Sequence, residues 1–90
     1  MYYTTDRHTA ERVLIDLRNA RIADPDETLA CLRRARSECA GANPGDRLRI
    51  QAWASVRRLY DAYKVAPDCD LKPLWQDAIA KTDAWHESMR

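Results

Sequence analysis

The sequence predicts an all-α, single-domain antiparallel bundle of four helices with short loops, at about residues 6–23, 25–40, 44–65 and 71–88. Three observations predict it. Apolar residues recur three and four apart in four separate stretches, which lines one face of a helix turning about 100° per residue. Pro and Gly total six, and they sit at the boundaries of those stretches. No stretch alternates with a period of two, so none reads as a strand. Ninety residues is the length of one domain, and an apolar content of 46% is enough to give it a core.

Met1–Thr5 reads as an extended arm. The first helix follows from about Asp6, with Ala10, Val13, Leu14, Leu17 and Ala20 on its inner face. Ile15 and Ile22, seven apart, form a second, smaller apolar strip on another side. Asp24-Pro25-Asp26-Glu27 ends this helix and starts the next: Asp24 caps, Pro25 fits the first helical position, and Glu27 completes a capping box. The second helix presents a small inner face of Leu29, Cys31, Leu32, Ala35 and Cys39. Gly41 suits the residue after its end.

The longest helix is expected over Asn43–Val65, with Asn43 as N-cap, Pro44 at the first position and Asp46 in the first turn. Leu48, Ala52, Val56, Leu59 and Tyr63 line its apolar face, and Trp53 and Tyr60 widen it. Arg47, Arg57, Arg58, Asp61 and Lys64 lie opposite, and Asp61 is spaced to pair with Arg57 or Arg58. Arg49 breaks the pattern, because it projects into the apolar arc. Pro67 disfavours helix at Ala66 and closes the element. Asp70 then caps a fourth helix. Leu71, Leu74, Trp75, Ala78, Ile79, Thr82, Trp85 and Met89 trace its inner face.

Charge narrows the function classes. The net charge is +1, too small for non-specific attraction to nucleic acid or an anionic membrane. Residues 44–66 sum to +3 and residues 67–90 to −2, so a basic third helix beside an acidic fourth one attract each other. No apolar run approaches the ~18 residues of a membrane span. The odd cysteine count and the polar segment after Met1 predict unpaired thiols in a reducing cytoplasm. Cys31, Cys39, Cys69, His8 and His86 contain no C-x-x-C or H-x-x-x-H pair, so no metal or cofactor is expected. Neither histidine is placed with a nucleophile or paired carboxylates, and no catalytic residue is expected.

What remains is surface. Trp, Tyr and Arg dominate protein–protein hot spots, which makes Arg49, Trp53, Arg57 and Tyr60 the interface candidates. Ile15 and Ile22 are candidates for self-association as a homodimer. The expectation is a small non-catalytic regulator, adaptor or inhibitor that docks on a larger protein partner, of the kind that phages and mobile elements encode. The alternative is a DNA-binding transcriptional regulator that lays its third helix in the major groove, with Arg47, Arg49 and Gln51 as the contacting residues.

Overall fold

The structure is a computed structural model that describes residues 2–21, 24–40 and 46–89, with the side chains of residues 2–6 left aside. Four helices follow in order: α1 (Tyr2–Ala20), α2 (Pro25–Cys39), α3 (Arg47–Val65) and α4 (Lys72–Glu87). Each touches its neighbours in the chain, and α1 also touches α4. The backbones of the diagonal pairs α1–α3 and α2–α4 stay more than 8 Å apart between Cα atoms among the described residues. Short connections and this ring of contacts define an up-down-up-down bundle. It is an elongated body of 40 × 19 × 19 Å.

The helix ends correct three expectations. The arm expected to be extended is helical from Tyr2 onward. The segment YYTTD contains no Gly or Pro, so nothing in it halts a helix that the following residues have nucleated. The N-cap of α3 is Asp46, not Asn43: its Oδ1 accepts the Arg49 N–H at 3.2 Å. Asp caps as well as Asn, and Gly45 between Pro44 and Asp46 disfavours an earlier start. Residues 41–45, including Asn43, Pro44 and the expected capping glycine, lie outside the described residues. At α4 the N-cap is Leu71, which makes no side-chain capping bond. Asp70 acts one position earlier and accepts the Lys72 N–H at 3.1 Å. Pro73 has no N–H, so this helix start has one donor fewer to satisfy.

The start of α2 follows expectation in its cap and its proline, while the Glu27 side chain makes no reciprocal capping-box bond among the described residues. Asp24 Oδ1 accepts the Glu27 N–H at 3.0 Å, and Pro25 opens the helix. A second bond secures the turn from the buried side: the Thr28 hydroxyl donates to the Ala20 carbonyl at 2.8 Å, tying the last turn of α1 to the first of α2.

The core matches the periodicity. Ala10, Val13, Leu14, Leu17 and Ala20 of α1 are all buried, as are Cys31, Leu32, Ala35 and Cys39 of α2. Ala52, Val56 and Leu59 of α3 meet Ala78 and Trp85 of α4 in the same cluster. Leu29, Leu48, Tyr63, Leu71, Leu74, Trp75 and Ile79 are half-buried around its rim. The buried hydroxyls of Ser55 and Thr82 bond back to carbonyls of their own helices, both at 2.8 Å, so they cost little.

Arg49 is explained by its partners. Its guanidinium donates to the carbonyls of Glu38, Cys39 and Ala40, at 3.0, 3.2 and 3.2 Å. These belong to the last turn of α2, whose carbonyls have no partner within their own helix. Arg49 therefore caps α2 from a neighbouring helix and sets a positive charge against the negative end of its dipole. The same group lies 5.2 Å from the ring centroid of Trp85, the largest fully buried side chain. One side chain thus ties α3 to α2 and to α4. Arg49→Ala is expected to lower stability by about 2–3 kcal/mol, with Arg49→Lys recovering only part because ammonium lacks the planar fork. Equilibrium urea unfolding checks this; unchanged midpoints for both variants would refute it.

Candidate functional site

Two of the four seams of the bundle are laced by pairs of opposite charge, and a third by a histidine–carboxylate contact. Between α1 and α2, Arg34 reaches Asp16 at 3.3 Å and Arg12 reaches Glu38 at 3.6 Å. Between α1 and α4, His86 Nε2 lies 3.3 Å from Glu11 Oε1. Between α3 and α4, Arg58 meets Asp77 at 3.7 Å, and Lys81 joins the same carboxylate at 2.6 Å. This is the attraction expected between a basic third helix and an acidic fourth.

The α2–α3 seam differs. No cation–carboxylate pair crosses it among the described residues, and its cations lie over aromatic rings instead. Arg36 of α2 and Lys64 of α3 both approach the Tyr60 ring, at 5.4 and 5.9 Å from its centroid. Arg57 lies 5.3 Å from the Trp53 centroid. Helical spacing puts Arg33 on the same flank of α2, one turn before Arg36. Arg57 also has Asp61 at 3.8 Å, an exposed pair that neutralises it only weakly. Arg33, Arg36 and Lys64 have no carboxylate partner among the described residues. The outcome is a basic strip with aromatic rings beneath it, running along the length of two helices.

The sequence-predicted residues divide across this geometry. Trp53 and Arg57 stand together at the surface of the seam, Trp53 half-buried and Arg57 exposed. Tyr60 is only 5% exposed and serves as the floor on which Arg36 and Lys64 rest. Arg49, expected beside them, is turned to the end of α2 and to Trp85. Of the three residues named for DNA contact, Arg47 and Gln51 are exposed one turn apart, and Arg49 does not join them. Ile15 stands 53% exposed on α1. Ile22 lies outside the described residues, so the strip of two isoleucines is described at one position only.

Arg33, Arg36 and Lys64 were not singled out by sequence. The i, i+3 spacing of Arg33 and Arg36 and the i, i+4 spacing of Tyr60 and Lys64 were visible, but the meeting of Arg36 with Tyr60 depends on how α2 pairs with α3. A second cluster was also missed. Asp83, His86 and Glu87 each bring one ligand atom within 4.8 Å of the others at the exposed end of α4. The D-x-x-H-E spacing was its signal, although such groups gather at many helix ends without an ion.

Comparisons with protein-family models, curated proteins and solved structures give no match.

Burial pushes the Cys39 thiol up to about 12, and Cys31 is buried about two turns earlier on α2. Cys69 is exposed. Alkylation of the native protein at mildly alkaline pH is therefore expected to modify Cys69 alone, with all three cysteines reacting in denaturant. Intact-mass measurement reads this directly, and two or three rapid adducts on the folded protein would contradict it.

Glu38 carries a pH signature. Burial, with Asp16 nearby, holds its carboxyl above the ordinary range, against the opposing pull of Arg12 and Arg34. The folded state then binds this proton more tightly than the unfolded chain, so its contribution to stability is full below the ordinary glutamate range and is lost as pH rises from there through the raised folded value. Its Oε2 is buried without a hydrogen-bond partner among the described residues. Glu38→Gln is expected to melt higher than the natural sequence at pH 7, the gain closing near pH 4. A gain of equal size at both pH values, or a loss at pH 7, would count against it.

Proposed function

We propose that this protein is a non-catalytic binding protein that docks on a larger protein partner through the α2–α3 face, acting there as a regulator, adaptor or inhibitor. One observation carries this reading. The other three seams set Arg or His side chains against carboxylates, whereas this seam leaves Arg36 and Lys64 over Tyr60, with Arg33 one turn before Arg36, without a carboxylate partner among the described residues. Charge that a fold does not use internally is available to a partner, and an acidic surface would supply the missing carboxylates. Arginine, tryptophan and tyrosine are the side chains that anchor protein interfaces. The rings fix the cations in place before contact, which lowers the entropy lost on binding.

Docking on protein fits the face better than binding DNA. The alternative needs a recognition helix with base-reading side chains at its start, and Arg49 is withdrawn from that group. The chain as a whole carries only +1, which gives little of the sequence-independent attraction on which DNA binding rests.

Affinity purification from the source cell, with and without nuclease, tests the reading. A defined partner is expected to survive nuclease and to be lost from Arg33→Glu/Arg57→Glu/Lys64→Glu, all three positions being exposed and the helical circular dichroism unchanged. Arg47→Glu is expected to retain it. Partners that vanish with nuclease, and a Lys/Arg dependence centred on Arg47, would overturn docking in favour of nucleic acid.

A further inference from the structure

The end of the bundle where α1 and α3 finish and α4 begins is hollow. A cleft of about 410 Å³ opens there, between Tyr63 and Trp75 with Leu71 and Pro67 completing the apolar wall. A second hollow of about 200 Å³ shares Arg21, Tyr63 and Trp75 with it and extends to Thr28. The larger volume alone falls in the ~300–1,000 Å³ range of small-molecule sites.

Its rings differ from the others. Arg49 lies over Trp85, Arg57 over Trp53, and Arg36 and Lys64 over Tyr60. Among the described aromatic residues whose side chains are placed, Tyr63 and Trp75 are the two with no cation of the chain over them. Both are half-buried, so part of each ring faces the cleft. Two cations, Arg21 and Lys72, stand at the same lining, exposed and with no carboxylate partner among the described residues. Asp70 is the one acid of the lining, and its Oδ1 is occupied by the Lys72 N–H.

We infer that this cleft binds a small planar aromatic anion, its ring between Tyr63 and Trp75 and its carboxylate between Arg21 and Lys72. The rings supply apolar, stackable area, worth most to a flat ligand. The guanidinium of Arg21 matches a carboxylate in planar geometry, and Lys72 adds a second point charge. Flatness and charge are both required: a neutral ring forfeits the cations, and a non-aromatic anion forfeits the walls. The site is separate from the docking face, so either stands if the other falls.

Titration of the full-length protein with 2-naphthoate, followed by backbone and indole NMR shifts, tests it. Shifts are expected to saturate and to cluster at Arg21, Thr28, Tyr63, Leu71, Lys72 and the Trp75 indole. The neutral 2-naphthalenemethanol is expected to bind at least tenfold more weakly. Arg21→Gln/Lys72→Gln changes two exposed side chains and should keep the fold while weakening 2-naphthoate at least tenfold. Absence of saturable shifts at millimolar 2-naphthoate, shifts centred elsewhere, or equal binding by the neutral analogue or by the double variant would overturn the inference.

Discussion

Everything in this bundle leans on the position where Arg49 enters the end of α2. A helix of 15 residues finishes in carbonyls that point along its axis, and something must satisfy them. Here the donor comes from the first turn of the next helix, and its charge also covers the face of Trp85. The backbone N–H of the same residue is taken by Asp46, so the start of α3 and the end of α2 are fastened at one point. The angle between these helices is therefore set by hydrogen bonds as well as by packing. The α2–α3 face inherits its shape from that junction, because Trp53 and Arg57 follow one and two turns later on α3.

Core and surface are built by different rules. The core is apolar and rich in small side chains, with Ala10, Ala20, Ala35, Ala52, Ala78, Cys31 and Cys39 all buried. Small residues let helices approach closely, which accounts for a body only 19 Å across. Trp85, at 1% exposure, is the exception in size, and its indole N–H is buried without an acceptor among the described residues. An unmet donor of this kind costs about 1–3 kcal/mol. The Arg49 guanidinium over the ring offsets part of that cost.

How far the structure was legible depended on distance along the chain. The inner face of α1 could be named residue by residue, because periodicity is a local property and burial follows it. The same held for Asp24 and Pro25, where one short segment both caps and turns. The role of Arg49 was not legible: a charged residue inside an apolar arc announces a conflict, but its partners lie ten residues away on another helix. Tyr60 was legible as part of the apolar arc, but the two cations from different helices that lie over its ring were not. The helical start at Tyr2 was missed because a polar segment without breakers looks the same whether coiled or helical.

The α1–α4 seam has a consequence for how the molecule is made. It joins the two helices farthest apart in the sequence, and it is the contact that turns a row of four antiparallel helices into a closed ring. A chain emerging in order builds α1 first and covers its second flank last. Until α4 arrives, the stripe of Val13, Leu14 and Leu17 has a neighbour on one side only, and Glu11 waits for His86. Nascent chains that end before Trp85 would carry an open groove where the finished protein has its largest buried side chain. The step that completes the core is thus also the one that removes this sticky surface from the crowded surroundings of synthesis.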